Sequence, residues 1–371
     1  PWEELGPGYC YGPAFGHWDL VHAVFDVMDA APSHARRQLL NLLAVQNEKG
    51  FLPGVVWMRG EEPDWSREIT HPPVWPLALD ACVARTKDEA FLSRGFEALT
   101  RQVRWFETHR RAEPEGYYYR DILTRDWESG VDEGVRFDGV QTGPYACVDA
   151  TAHVYALYAM GCSWAERLSK DAAPFRERAE ALRAFIRTRL YAEDAGFFYD
   201  IWAVDEPEQR RTALEGMWPV VVEAATPAQA NAVIDGYLLN PRRFFTGHPV
   251  TTVGVDDPHF ELRMWRGPTW NSMTYWAARG CMAYDRADAA RVLLERALDA
   301  SAVQFERTGT IWEFYHPYDG RPEELERKPQ TSYNQPCRDY LGHNPLIAMA
   351  RLWELARAGT SPVGLSDDLP C

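Results

Sequence analysis

Apolar residues recur every three or four positions along most of the chain, which predicts helix rather than strand. They fall into couples. HWDLVHAVFDVMDA precedes SHARRQLLNLLAVQNE, where Ser33 stands as an N-cap, and PPVWPLALDACVART precedes KDEAFLSRGFEALTRQVRWFETHRR. VDATAHVYALYAMGC runs into SWAERLSKDAAPFRERAEALRAFIRTRLY, and GMWPVVVEAA into TPAQANAVIDGYLL. GPTWNSMTYWAARGCMAYD runs into RADAARVLLERALDASAVQFERTG, and NPLIAMARLWELARAG closes the series. Strand-like material is limited to short runs such as GFFYDIWAV, which suits a hairpin between helices.

The two members of each couple differ in kind. The first is apolar nearly all round and opens with unusual residues: Trp18 and Asp19, Pro72 and Pro73, Asp149, Met217 and Trp218, Pro268 and Trp270, His343 and Asn344. The second is long, amphipathic and rich in Arg and Glu. A helix apolar on every side is buried, whereas an amphipathic one lies at the surface. Six inner helices ringed by outer ones predict an all-α protein, an (α/α)6 toroid with long rim loops and a short β-hairpin. The inner N-termini converge on one rim. Five outer helices can be counted, so either the sixth comes from sequence upstream of Pro1, which is the expectation, or the toroid is left open at that seam; residues 1–371 read as one catalytic domain.

Composition narrows the classes. A chain of 371 residues favours one large domain. With 46% apolar and 13% aromatic residues it fills a core and leaves rings for a binding surface. A net charge of −15 opposes binding to a phosphate backbone, so nucleic acid is set aside. No apolar run approaches the roughly 20 residues that span a bilayer, which sets membranes aside too. Cys10, Cys82, Cys147, Cys162, Cys281, Cys337 and Cys371 are scattered, odd in number and without CxxC or zinc spacing. They read as reduced, packed thiols of a cytoplasmic protein that binds no metal, a pattern that allows a disulfide without indicating one.

Chemistry concentrates in the long connections ahead of the inner helices. DWESGVDEGVRFDG (126–139) sets Glu128, Asp132, Glu133 and Asp138 beside Trp127 and Phe137. A solvated acidic loop is one reading, and a pocket with working carboxyl groups is the other. In GTIWEFYHPYDG, Glu313 stands between Trp312 and Phe314, followed by Tyr315 and His316. It either pairs with a buried Arg or faces a pocket lined by rings. In WRGPTW, Pro268 suits a first helical turn, Trp265 and Trp270 supply flat faces, and Arg266 offers a fixed guanidinium. Asp19 is either a charge on its helix dipole or, beside Trp18, part of a sugar platform. Two carboxyl groups on separate loops, in a tryptophan-rich cleft, fit glycoside hydrolysis. No Gly-rich phosphate loop, HExxH or GxSxG competes, and no cofactor is implied.

These segments carry a resemblance. ESGVDEGVRFD resembles the signature shared by trehalases and family 63 glycosidases, while WRGPTWNSMTYW and WEFYHPYDG resemble two further family 63 segments. WDL, GFLP and THPPVW fall in the expected order, so the likeness covers nearly the whole chain. Its bacterial mannosylglycerate-hydrolase-like branch is the nearest in layout. The resemblance implies an inverting α-glycosidase with Asp132 as general acid and Glu313 as general base, Glu128 behind them, and Trp18, Asp19, Arg136, Arg266 and Trp270 around the sugar. Trp265, Trp312, Tyr315 and His316 complete the expected substrate contacts. The expected partner is a small α-glucoside or α-mannoside of glycosylglycerate type, or a short oligosaccharide, with Arg266 and Arg338 as candidates for a carboxylate. His316 departs from the family pattern, and ELERKPQTSYNQPCRDYLGH maps onto nothing recognisable. Two rivals remain: a sugar isomerase or epimerase using paired histidines among His71, His153, His259, His316 and His343, and a non-catalytic carbohydrate-binding toroid.

Overall fold

A computed structural model describes residues 5–58 and 63–360; Cys371 and Pro1 lie outside them. The chain enters through β1 (Ala14–Gly16), then α1 (Asp19–Val27) and α2 (Pro32–Ala44). β2 (Val55–Trp57) and β3 (Asp64–Trp65) follow, then α3 (Trp75–Thr86), α4 (Glu89–His109), the single turn α5 (Asp121–Thr124), α6 (Val148–Arg167) and α7 (Ala173–Arg189). The second half holds β4 (Tyr191–Ala192), β5 (Phe197–Phe198), α8 (Trp218–Val221), α9 (Pro227–Val233), α10 (Asn271–Ala283), α11 (Ala287–Thr308) and α12 (Leu346–Ala358).

Burial separates two layers. In α10, 12 of 13 residues are buried, whereas α7 buries only Ala179, Leu182 and Ile186 of its 17. The apolar helices touch in a circuit: α1 meets α3, α3 meets α6, α6 meets α8, α8 meets α10, α10 meets α12, and α12 returns to α1. Amphipathic helices pack outside, α2 across α1 and α3, α4 across α3 and α6, and α11 across α10 and α12. Among the described residues no helix is long and apolar enough to cross a membrane.

Local chemistry moves some boundaries. Ser33 lies inside α2, which starts at Pro32, because proline's fixed φ and missing N–H suit the first helical position. Pro268 precedes α10 by a full turn: Thr269 is extended and exchanges both backbone hydrogen bonds with Tyr315 at 2.9 Å. In GFFYDIWAV only Phe197 and Phe198 form strand, pairing antiparallel with Tyr191 and Ala192. A second sheet, antiparallel in the order β1-β2-β3, joins the entry to α1 with the approach to α3.

Candidate active site

A cavity of about 380 Å³ opens where the approaches to α1, α3, α10 and α12 meet. Trp18, Trp57, Trp127, Trp265 and Trp270 supply its flat faces, and Asp19, Asp132, Glu313, His71, His343, Arg327 and Lys328 its polar groups. The volume suits a small ligand enclosed on most sides. Trp265 and Trp270 stack with ring centroids 3.8 Å apart and planes 4° from parallel, and Trp18 lies 6.0 Å from Trp265.

Asp132 is carried by a loop pinned from several sides. Just before it, the buried Glu128 carboxylate accepts from Arg110 Nε and Nη2 at 2.7 Å, from the Arg120 backbone N–H at 2.7 Å and from the Thr70 N–H at 3.1 Å. Ser129 donates its N–H and hydroxyl to Asp121 at 3.0 and 2.7 Å. Gly130 has φ +75°, and a Cβ there would lie 2.4 Å from Trp18 Cζ2, so only glycine lets the ring approach. Beyond Asp132, Arg266 donates to the Glu133 carbonyl at 3.1 Å and to Asp138 at 2.6 Å, and its Nε binds Glu261 at 2.8 Å. Arg136 is buried among Asp149, Asp200 and Glu215, with Nη1 2.8 Å from Asp149, Nη1 2.9 Å from Asp200 and Nε 2.9 Å from Glu215. Asp132 itself is 22% exposed and meets Lys328 Nζ at 2.9 Å. Burial works against the Lys328 charge, but Asp132 outweighs it and holds the ammonium protonated.

Glu313 is carried by a separate segment, held at both edges. Its N–H donates to the Cys337 carbonyl at 2.9 Å, and two residues on, Tyr315 pairs with Thr269. The Glu313 side chain is 2% exposed. Arg327 grips it with both arms, Nε to Oε2 at 2.7 Å and Nη2 to Oε1 at 2.9 Å, and the Cys337 N–H adds a bond to Oε2 at 3.0 Å. A carboxylate oxygen accepts two bonds, so Oε1 keeps one lone pair for a water molecule. The two readings left open by sequence coincide: Glu313 both pairs with a buried Arg and faces the ring-lined cavity.

Asp19 is a third, buried carboxyl group in the lining. Its Oδ1 lies 2.9 Å from His343 Nε2 and accepts from Tyr340 OH at 3.3 Å, while Oδ2 lies 3.9 Å from His71 Nδ1. Burial opposes its ionisation, but His343, then His71 and His22, outweigh it and hold the carboxyl below the ordinary range. Burial pushes His71 down to about 4, which leaves a neutral ring that can donate or accept.

Of the residues singled out in the sequence, Trp18, Asp19, Asp132, Trp265, Trp270 and Glu313 line the cavity. Glu128, Arg136, Arg266, Trp312, Tyr315 and His316 do not. Glu128 and Arg136, on the Asp132 loop itself, anchor it to its surroundings, and Arg266 ties it to the approach of α10. Trp312 lies buried under Arg338, 5.0 Å from ring to guanidinium, Tyr315 OH accepts from the Trp312 N–H, and His316 packs on Gly320 and accepts from the Tyr318 N–H. Arg338 is thereby placed on Trp312 and on the Thr308 carbonyl. Tyr9, Tyr11, Trp57, Arg327, Lys328 and Tyr340 line the cavity without having been anticipated; the last three lie in the unassigned ELERKPQTSYNQPCRDYLGH run. Two of the five rim histidines, His71 and His343, do meet in the cavity, but each faces Asp19. Among the described residues, Cys147, Asp149 and Asp200 have the closeness of a metal site, and Arg136 already stands against both carboxylates.

A tryptophan-lined cavity with carboxyl groups from separate loops, on a double layer of helices, fits a glycoside hydrolase, and the chain's family is one. Residues 13–335 match the model of the mannosylglycerate hydrolase MGH1-like glycoside hydrolase domain, and the chain belongs to that family. It is 23% identical to the mannosylglycerate hydrolase of Rubrobacter radiotolerans, over 86% of this chain and 89% of that one. It is also 23% identical to the glucosylglycerate hydrolase of Mycolicibacterium hassiacum, over 84% and 88%. A further match, an uncharacterized protein of Borreliella burgdorferi, is 24% identical over 53% of this chain and 40% of that protein. The structure of the family 63 mannosylglycerate hydrolase of Thermus thermophilus in complex with glucose superposes with a TM-score of 0.71 at 19% identity, covering 94% and 95% of the two chains.

Proposed function

We propose that the chain hydrolyses a short α-linked glucoside or mannoside of glycosylglycerate type with inversion of the anomeric centre. Asp132 is the general acid and Glu313 the general base. The helix circuit is read as an (α/α)6 toroid with this cavity at one end of its axis. The observation that carries the assignment is that two carboxyl groups, brought by independent loops and each fixed by its own cation, face one cavity walled by tryptophans. Names of the two curated hydrolases supply the glycerate part of the substrate.

In this reading the sugar ring lies against Trp18 and the Trp265–Trp270 stack, whose faces suit its C–H groups. Asp19 accepts from its hydroxyls, and His71 and His343 stand beside it. Asp132 protonates the glycosidic oxygen as the bond to the anomeric carbon breaks. Glu313 Oε1 takes a proton from a water that attacks the opposite face of an oxocarbenium-like centre. An inverting pair needs its carboxyl groups about 6.5–9.5 Å apart to admit that water.

The test is hydrolysis of glucosylglycerate and mannosylglycerate followed by NMR of the freshly released sugar. The β-anomer should appear first, and Asp132→Asn and Glu313→Gln should each lower kcat by about 10²- to 10⁴-fold with the fold retained. Release of the α-anomer would make Glu313 a nucleophile, and near-normal turnover by either variant would remove that residue from the mechanism.

A further inference from the structure

Two cationic residues line the cavity among the described residues, and they are not equivalent. Arg327 is committed: two of its nitrogens hold Glu313, and Nη1 donates to Tyr11 OH at 3.2 Å. Lys328 makes a single ion pair, to Asp132 Oδ2 at 2.9 Å, and keeps 22% of its side chain exposed. An ammonium group has three N–H donors, so Nζ retains donors for an incoming group. Arg266 and Arg338, the cations that sequence nominated for a carboxylate, are spent on Asp138, Glu261 and the Glu133 carbonyl, and on Trp312 and the Thr308 carbonyl.

Placement tells which part of a substrate Lys328 meets. A general acid lies against the oxygen that leaves, so a group bonded to Asp132 lies on the leaving-group side. In a glycoside of a 2-hydroxy acid, the carbon bearing the scissile oxygen also bears the carboxylate. When that oxygen reaches Asp132, the carboxylate therefore comes within reach of Nζ. Three acidic side chains, Asp19, Asp132 and Glu313, face the same space, so an anionic leaving group entering there needs a cation between it and Asp132.

We propose that Lys328 is the specificity-determining residue for a carboxylate-bearing aglycone, which it binds next to the scissile oxygen by a charge-assisted hydrogen bond. This rests on Asp132 being the general acid of a hydrolase. As the aglycone docks, Lys328 hands part of its pairing from Asp132 to the substrate carboxylate; Asp132, no longer neutralised by the ammonium, takes up a proton from solvent and turns the protonated oxygen toward the glycosidic oxygen. The selection is for a small organic acid as leaving group, and the sugar's identity is decided elsewhere, at Trp18, Asp19 and the Trp265–Trp270 stack.

Two measurements on Lys328→Met test it. Calorimetric titration with D-glycerate and with glycerol reads the subsite without any turnover: the wild type should prefer glycerate, and K328M should lose that preference while Lys328→Arg keeps most of it. The ratio of kcat/KM for glycosylglycerate over glycosylglycerol should then fall in K328M by about 10- to 100-fold, the range of a hydrogen bond to a charged group. Equal losses on both substrates, or glycerate binding unchanged in K328M, would overturn the proposal. A wild type that binds glycerate through Lys328 yet hydrolyses neither compound would instead refute the hydrolytic reading and, with it, the leaving-group role, leaving Lys328 as a plain carboxylate-binding group.

Discussion

Glu313 and Arg327 stake much on one pair. Both side chains are 2% exposed, and a buried carboxylate stripped of its guanidinium keeps only the Cys337 N–H and the water that the cavity admits. Arg327→Met should lower stability by about 3 kcal/mol, read as a drop in Tm, and should lower kcat as Glu313 loses its orientation. An unchanged Tm would mean the pair contributes nothing net. Gly130 is the second residue-scale test. With φ +75° and Trp18 Cζ2 2.4 Å from any added Cβ, Gly130→Ala should cost about 1–3 kcal/mol and displace the ring proposed to meet the sugar, raising KM. At this scale the sequence was legible where a residue type was odd in its surroundings. Glu313 inside WEFY, Trp18 beside Asp19 and the paired tryptophans of WRGPTW all announced themselves. Arg327 and Lys328 did not, because a basic dipeptide in ELERKPQ looks like any solvated loop. Only the fold turns it inward onto two carboxylates.

Elements were readable in proportion to their length. Helices of 12 residues or more repeat their apolar period several times, which is why the sequence pattern separates buried from amphipathic helices. Strands of two or three residues, such as Val55–Trp57 or Phe197–Phe198, hold no full alternation and leave no period to detect. Pro268 misled for a related reason: the pairing of Thr269 with Tyr315 lies 46 residues away in sequence and delays the start of α10. That pairing has a function in placing Glu313 two residues before Tyr315. On the acid side, Arg266 does the corresponding work by tying the ends of the Asp132 loop to the approach of α10. Arg266→Met should therefore lower kcat by about 10²-fold on charged and uncharged glycosides alike, as expected when a catalytic group is misplaced by about 1 Å. A loss confined to glycosylglycerate would return Arg266 to the role of carboxylate ligand that sequence suggested.

The molecule as a whole ties its rim together with buried charge, and that gives it a pH dependence of definite sign. Arg136, on the Asp132 loop, meets Asp149 at the start of α6, Asp200 after the β4–β5 hairpin and Glu215 ahead of α8. One guanidinium thus serves three buried carboxylates. Burial, only partly offset by Arg136, pushes Asp200 up to about 6 and Glu215 up to about 7. A carboxyl group whose folded value is raised binds its proton more tightly when folded. Its contribution to stability is full below the unfolded value, is lost as pH rises from there to the folded value, and stays lost above it. For Glu215 that window runs from about 4.5 to about 7. His17, His22 and His153, pushed down to about 3 by burial, act in the opposite direction, favouring the fold above their ordinary value and losing that as pH falls. The Glu215 effect must therefore be isolated by substitution. Glu215→Gln removes the titration while keeping the shape, so the loss of its ion pair shifts stability at every pH but the Glu215-specific slope disappears. Measured by denaturant unfolding, the variant should improve relative to the wild type by about 2 kcal/mol between pH 5 and pH 8. If the difference between the two proteins is the same at both pH values, Glu215 ionises as an ordinary carboxylate, and the rim is held by a fully charged cluster with a net charge of −2 instead.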